Sequence, residues 1–439
     1  MGFKNKAVAL GRKLKLDSHH AIERFGIFFG LLVVTGLVIG AGSGVAAFQS
    51  GRDTLSTQAL YTPDFTTSKT QLNGKIAGVY RNELGNRALV MMDFGEQAQI
   101  SYNATDYQAF LLGSDNVAKA EKVTTDGVTG SVQVFGSTGY IGVLLEAKEP
   151  FERQVLNLTM RANAELSFAQ QLNDGQGTDA LAGDKTFAKY DQWRVFFNPA
   201  ASDATHITAL DTPNFDAGRA YYDIVLQPEE KTAREKLEAQ LVKMRADLTQ
   251  IASYTSDLQT TKVDGVFLRP ATVPEAIRDD QVVGQSTAEI QATTPNAEGT
   301  LALETKTVVP RGYNFDWRNG SVYEGYLDAL VPHSQGFAAY LANKAAEPSD
   351  RTNTEINNLP WILSDGTDLK KDYRSSDVTI RPLVTVMNNL SQAYQNYVKD
   401  KSEYQTQLLP ELLELDVELR NVRSNTSVHS GDEFLTTLR

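Results

Sequence analysis

The feature that most constrains this chain is one long apolar run near its N-terminus. Residues Phe25–Phe48 contain no charged side chain over 24 positions. A helix of that length rises about 36 Å, and a hydrocarbon core is about 30 Å thick. The sequence therefore predicts a transmembrane helix over residues 25–48.

The charges around this run predict its orientation. Residues 1–48 carry six basic and two acidic side chains, and all of them precede the apolar run. The positive-inside rule places residues 1–24 in the cytoplasm and the chain after Gln49 outside. We therefore expect a single-pass protein of the cell membrane, with the bilayer as one partner and most of the chain extracytoplasmic.

A cleavable signal peptide is the alternative interpretation, with Val45-Ala46-Ala47 as a small-residue cleavage site. The apolar cores of signal peptides span about 7–15 residues, and their charged leaders are short. The apolar run and the charged segment before it are both longer here, which favours an uncleaved anchor.

Composition indicates the compartment and excludes some partners. The chain has no cysteine, so thiol chemistry and a lipid-modified cysteine anchor are excluded. A large exported domain without disulfides is typical of a bacterial cell surface. The whole chain has a net charge of −12 and residues 1–48 contribute +4, so the exported part carries −16. This acidity argues against nucleic-acid binding, which favours basic surfaces.

The first exported region is predicted to be β-rich. Residues 49–63 are polar and indicate a stalk, and residues 64–227 have the short alternating segments of a sandwich-like antiparallel domain. Asn82–Asn86 and Gly136–Gly139 have the composition of hairpin loops. Three further strands are predicted near the end of this region, at residues 193–197, 206–210 and 220–226.

A long amphipathic helix is predicted over residues 228–262. It begins at Pro228 with two acidic residues behind it, a favourable helix start. Apolar residues then recur at heptad spacing, which requires a partner helix. This seam comprises Leu237, Leu241, Met244, Leu248, Ile251 and Leu258.

A second long helix is predicted over residues 377–424, with Lys401 as the only charged interruption of its seam and a kink at Pro410. The two helices either pair antiparallel within one chain or each pair with a copy in an oligomer. The second seam comprises Leu383, Met387, Leu390, Tyr394, Tyr397, Tyr404 and Leu408.

The segments around this helix complete the predicted organisation. Residues 263–376 have mixed character and indicate an α/β insert between the two helices, and residues 425–439 are predicted to be a flexible tail. The fold class is therefore α+β, with an N-terminal transmembrane helix, a β-sandwich-like ectodomain and a coiled-coil rod carrying an insert.

Two candidate interaction sites stand out. Small residues four apart in a membrane helix let helices approach closely, and the apolar run has them at Gly26, Gly30, Gly36, Gly40 and Gly44. Tyr313, Phe315 and Trp317 alternate with polar residues and could stack on a ligand. Burial of these rings in the core is the favoured alternative.

The sequence contains no recognisable catalytic or metal-binding motif. A nucleophile elbow, a phosphate-binding loop and a zinc-protease motif are all missing. The five histidines do not form a metal-binding pair. We therefore predict a non-enzymatic protein without a cofactor or metal.

These features favour a structural or scaffold subunit of a bacterial cell-envelope assembly, of the secretion, conjugation or surface-appendage type. Its partners would be other envelope proteins, further copies of itself, or both. The alternatives are a membrane-anchored module that binds a glycan or peptide, and an extracytoplasmic sensor that needs a partner protein.

The glycine face can be tested in the membrane. Gly36→Ile and Gly40→Ile should reduce cross-linking between copies, because a branched side chain holds two helix backbones apart. Chemical cross-linking of the full-length chain in its native membrane measures this, with Val38→Ile on another face as control. Unchanged cross-linking in both glycine variants would contradict the prediction.

Overall fold

A computed structural model describes residues 57–95, 100–113, 125, 127–162, 190–372 and 378–438. The basic segment, the apolar run with its five glycines and most of the stalk lie outside the described residues. Within the ranges that are described, no helix has both the length and the apolarity needed to cross a bilayer.

The described part of the chain is mixed α+β, with mainly antiparallel sheets and two long helices, as the sequence predicted. Its strands are β1 (Asp64–Thr66), β2 (Asn73–Arg81), β3 (Arg87–Asp93), β4 (Tyr107–Gly113), β5 (Thr129–Val134), β6 (Tyr140–Glu146), β7 (Leu156–Ala162), β8 (Gln192–Phe197), β9 (Thr205–His206), β10 (Gln281–Val283), β11 (Ala302–Glu304), β12 (Ser427–Ser430) and β13 (Leu435–Leu438).

Three sheets are formed by these strands. The first has the order β1-β2-β3-β6-β5-β12, with β9 paired to β2, and the second has the order β13-β4-β7-β8. Strands β10 and β11 form a separate antiparallel pair in the insert. Both predicted hairpins are confirmed, because β2 pairs antiparallel with β3 and β5 with β6. Gly136 and Gly139 have positive φ angles in the second hairpin loop, a conformation that glycine adopts without steric cost.

The first sheet is buried on both faces. Val90 and Met92 of β3 point into a core that the two larger sheets share, whereas Leu89 and Met91 point to the other face. The residues that cover this other face belong to the start of the first long helix and the segment before it. Strands covered on both sides have continuous apolar sequences. This explains why apolar and polar residues do not alternate along β3 and β6.

The helices are mostly short, apart from two long ones that each contain a π-helical segment. They are α1 (Ala217–Tyr221), α2 (Gln227–Thr260), α3 (Thr287–Gln291), α4 (Tyr326–Leu330), α5 (Phe337–Ala345), α6 (Thr352–Asn357), α7 (Leu369–Asp372), α8 (Arg381–Glu403) and α9 (Leu409–Asn425).

In two places, consecutive helical segments follow one another without a break. We call α1, the π-helical segment Tyr222–Leu226 and α2 together helix A, and α8, the segment Tyr404–Leu408 and α9 together helix B. The two helices are 44 and 45 residues long. The described residues also include two 3-10 turns, at Ala104–Asp106 and Thr208–Leu210.

Helices A and B pair antiparallel within one chain, which resolves the alternative left open by the sequence. Lys236 of helix A forms a salt bridge with Glu411 of helix B, and Gln240 donates a hydrogen bond to the carbonyl of Asp400. Residue numbers therefore fall along helix B as they rise along helix A. We call this pair the helical hairpin, and residues 263–380, which join its two arms, the insert.

Each π-helical segment ends two residues before a proline, Pro228 in helix A and Pro410 in helix B. Proline has no N–H to donate and its ring crowds the preceding turn. A π-turn widens the helix locally and relieves this crowding. Helix B therefore continues through Pro410 and keeps packing against helix A.

Two predicted strands are wrong. Of residues 206–210 only His206 belongs to a strand, and Thr208–Leu210 form a 3-10 turn. Residues 220–226 form part of helix A, which begins at Ala217 and not at Pro228. The side chain of Asp216 caps this helix by accepting a hydrogen bond from the backbone N–H of Arg219. The apolar run was ambiguous because Ala220, Tyr221 and Leu226 are buried against neighbouring elements, and a fully buried helix lacks a clear period.

The predicted flexible tail is also wrong. Strand β12 pairs antiparallel with β5 of the first sheet, and β13 pairs parallel with β4 of the second. Phe434, just before β13, is fully buried in the core between the two sheets. Burial of this ring and pairing with two sheets overcome the loss of chain entropy that otherwise leaves a terminus disordered.

The contribution of the tail to stability can be tested by shortening the side chain of Phe434. Phe434→Ala should lower the free energy of unfolding by about 3–5 kcal/mol, because it removes a buried aromatic ring. Urea denaturation of the chain beginning at residue 57 measures this. Val428→Ala, at an exposed position of β12, should change the same quantity by less than about 0.5 kcal/mol. Equally small changes in the free energy of unfolding in both variants would show that the tail does not stabilise the two sheets.

Candidate functional site: polar clusters between the helical hairpin and the insert

The predicted seam residues lie where helices A and B meet each other and the insert. Eleven of the thirteen are buried, and Leu248 and Leu408 are half-buried. All thirteen belong to one apolar core, which also contains insert residues such as Trp361 and Leu363. Polar side chains interrupt this core at four places and connect the hairpin to the insert.

The first cluster is centred on Glu230 of helix A, which is almost fully buried. Its carboxylate accepts hydrogen bonds from the Arg234 guanidinium at 2.8 and 3.0 Å and from the Tyr222 hydroxyl at 3.0 Å. From the insert it accepts the Tyr326 hydroxyl at 3.0 Å and the Val322 backbone N–H at 3.2 Å. This carboxylate therefore replaces its lost hydration with protein donors on both sides of the contact.

The second cluster is centred on Glu238, two turns further along helix A. Its carboxylate accepts hydrogen bonds from the Thr287 hydroxyl at 2.8 Å and from Arg318 at 2.9 Å. Arg318 also donates to the backbone carbonyls of Gly299 and Leu301. Burial alone would raise the pKa of Glu238, but the hydrogen bonds from Arg318 and Thr287 hold that pKa below its usual range.

The third cluster is a fully buried ion pair. The ammonium of Lys401 lies 2.7 Å from the carboxylate of Asp280, and neither side chain is exposed to solvent. The hydroxyls of Thr305 and Thr307 lie 3.0 and 2.8 Å from the same nitrogen. Tyr397 donates its hydroxyl to Asp280 at 2.7 Å. Helix B and the insert therefore meet at one charged point within the apolar core.

The fourth cluster is centred on Asp416 of helix B, which is almost fully buried. It accepts hydrogen bonds from the Leu327 backbone N–H at 2.8 Å and from Arg420 at 2.7 Å. Arg420 also pairs with Asp328 and lies over the ring of Phe337 at 4.3 Å. The carboxylate caps the start of helix α4, and the arginine holds the segment that follows it.

Together the four clusters can position the insert, and they do not form a metal centre. Each joins a charged residue of the hairpin to insert atoms. Within the described ranges, no three His, Asp or Glu side chains converge closely enough to hold a metal ion. Buried charges of this kind favour one arrangement over others, because misplacing the insert would leave a charge without its partners.

The ligand-stacking interpretation of Tyr313, Phe315 and Trp317 is not supported. Trp317 is buried, and its indole N–H donates to the hydroxyl of Tyr404 at 2.9 Å. Tyr313 and Phe315 are half-buried and pack against the same apolar core. These rings attach the insert to the hairpin, because burying their apolar surface in this core stabilises the contact.

Two carboxylates face each other across helices A and B. Burial and repulsion by Asp400 raise the pKa of Asp247 to about 6, and Lys243 only partly offsets this. Both side chains are half-buried. Because a raised pKa means that the folded chain prefers the protonated acid, this pair costs stability above pH 6 and the cost falls as the pH drops towards 4.

An open groove lies between the helices near their prolines. It has a volume of about 480 Å³ and a floor formed by Pro228, Ala233 and Leu415. Its rim is acidic, because four glutamates and one lysine surround it, namely Glu229, Glu411, Glu414, Glu418 and Lys236. We call it the acidic groove.

Sequence reasoning identified only part of this site. Lys401 occupies a seam slot between Tyr397 and Tyr404, and a charge at a seam position was the available signal of a buried partner. The partner, Asp280, lies 121 residues away in sequence within a polar loop. Its role was not visible because pairing across that distance depends on the folded insert.

The carboxylate pair gives a pH-dependent prediction. Asp247→Asn should raise the free energy of unfolding by about 0.5–1 kcal/mol at pH 7.5, a value reduced to allow for solvent screening of this half-buried group. The gain should shrink as the pH falls from 6 towards 4, because the wild-type acid is then protonated in the folded chain. Urea denaturation over this pH range tests it.

The control for this experiment is Glu235→Gln, which removes one exposed negative charge from the same helix. It should not reproduce the pH-dependent gain. A gain of the same size at every pH, or in both variants, would contradict the assignment to the Asp247–Asp400 pair.

Comparisons with protein-family models, with curated proteins and with solved structures found no match.

Proposed function

We propose that this chain is a non-catalytic structural subunit of a bacterial cell-envelope assembly, of the secretion, conjugation or surface-appendage type. The proposed location at the membrane is supported by the apolar run Phe25–Phe48 and the basic residues before it. The proposed exported part is a sandwich-like β region followed by a rod with an insert.

The observation that carries this proposal is the braced helical hairpin. Helices of 44 and 45 residues correspond to about 66 Å of helix. One end contacts the first sheet, because the Tyr221 ring packs 5.4 Å from those of Phe135 and Tyr140 and Asn421 bonds to Ser137. Four buried polar clusters fix the insert along the arms. A long element braced in this way suits a spacer or strut.

The hairpin also limits how partners could bind. Its apolar seams are filled by the partner arm and the insert within one chain, so they do not support a coiled coil between chains. Contacts with other envelope proteins or with further copies would therefore use outer surfaces, such as the acidic groove, and the glycine face of the apolar run.

The binding-module alternative has lost its main support. Its ligand would be held by the sandwich-like region or by the aromatic residues 313–317, and Trp317 is buried among hairpin residues. The sensor alternative has no described feature in its favour. The scaffold proposal is therefore the one that the buried clusters favour.

Extraction of the full-length chain from its native membrane with a gentle detergent tests this proposal. We expect a particle several times the chain mass of 48.2 kDa, with the same companion proteins in repeated preparations. Light scattering measures the size, and mass spectrometry identifies the companions.

The matched control is the chain beginning at residue 57, which lacks the apolar run. It should not be recovered from the membrane fraction. A full-length chain that is extracted as a monomer without fixed companions would contradict the scaffold proposal. Recovery of the shortened chain from the membrane would contradict the assignment of the anchor.

A further inference from the structure

Lys401 of helix B and Asp280 of the insert are close enough to form a salt bridge, and also close enough to react with each other. We propose that Lys401 and Asp280 join in an intramolecular isopeptide bond, an amide between the lysine Nζ and the aspartate Cγ. This modification would tie the insert to helix B covalently. The inference is independent of the proposed envelope function.

The first argument is proximity. The Nζ of Lys401 lies 2.7 Å from Oδ2 of Asp280, which places it roughly 3–4 Å from the carboxyl carbon and close to attack distance. Four oxygen atoms lie within 3.0 Å of this nitrogen, two of them from threonine hydroxyls. An ammonium has only three protons to donate, so the site holds the nitrogen in place with more acceptors than a charged lysine can use.

The second argument is the burial of both side chains. Both side chains are fully shielded from solvent, and burial lowers the pKa of Lys401 although its hydrogen bond to Asp280 acts in the opposite direction. Burial therefore favours the neutral amine of Lys401 over its ammonium. The neutral amine has the lone pair that a nucleophile needs, and bulk solvent does not reach the two side chains.

The third argument comes from the two carboxyl oxygens, which have different surroundings. Oδ2 accepts hydrogen bonds from Lys401 and from the Tyr397 hydroxyl, whereas the buried Oδ1 has no hydrogen-bond partner in the described part of the chain. Burial and the neighbouring Asp280 raise the pKa of Tyr397, so its hydroxyl keeps its proton and can donate it. Oδ2 is therefore suited to leave, and Oδ1 to remain as the amide carbonyl.

The reaction balances without any other reactant. One proton passes from the lysine ammonium to the carboxylate, which leaves a neutral amine and a neutral acid. The nitrogen lone pair then forms the C–N bond. A second proton moves from nitrogen to Oδ2, assisted by the Tyr397 hydroxyl, and the C–Oδ2 bond breaks to release water. The chain loses about 18 Da in this covalent change.

The consequence would be a covalent loop in a chain without cysteine. The two residues are 121 positions apart, so the bond would enclose most of the insert and most of helix α8. Closing so long a loop removes conformational freedom from the unfolded chain, as a disulfide does.

Peptide mapping of the full-length chain tests this directly. Trypsin should release one branched peptide that joins residues 279–306 to residues 400–420, because an acylated Lys401 is not cleaved. Its mass should be about 18 Da below the sum of the two linear peptides, the mass of one water. Fragmentation should place the branch on Asp280 and Lys401.

The matched control is Lys401→Arg, which keeps the positive charge but presents a guanidinium that is not a nucleophile at neutral pH. It should yield only linear peptides. Tyr397→Phe should slow the appearance of the branched peptide by at least about 100-fold without loss of helical content measured by circular dichroism.

Wild-type protein alone can overturn the proposal, even if the variants do not fold. Recovery of residues 279–306 and 402–420 only as linear peptides would show that the pair is a salt bridge and nothing more. A branch on another residue would overturn the assignment of the site.

Discussion

The antiparallel pairing of helices A and B is the constraint on which the rest of the described structure depends. Neither seam can be left in water, and each is covered by the other arm together with the insert. Because the arms are separated by about 120 residues of insert, pairing them brings both ends of that insert to the same region. The first sheet uses the start of helix A to cover its second face, so the β region also depends on where the hairpin lies.

Buried charges define how the insert sits on the hairpin. Apolar packing is tolerant of small shifts, whereas Glu230, Glu238 and Asp416 each require donors at set positions. A displaced insert would leave the buried carboxylates of Glu230 and Asp416 desolvated and unpaired, at a cost of several kcal/mol each. The clusters thus select one arrangement from many compact ones. The same reasoning applies to Lys401 and Asp280, whose side chains are completely shielded from solvent.

The C-terminal tail shows how a short segment can matter for a large domain. Strand β12 joins the first sheet and β13 joins the second, so the residues after helix B connect the two layers. Phe434 between them is fully buried. The chain thereby returns from the end of the hairpin to the β region, and the two parts are linked at the start of helix A and again at the end of helix B.

The sequence by itself determined the α+β class, the two β hairpins, the heptad seams and the charged slot at Lys401, because these features depend on neighbours within a few residues or on a local period. Tertiary structure alone decided that the arms pair within one chain, that residues 220–226 are helical and that the tail is ordered. Each of these depends on contacts between residues far apart in sequence, whose free energy no local pattern records.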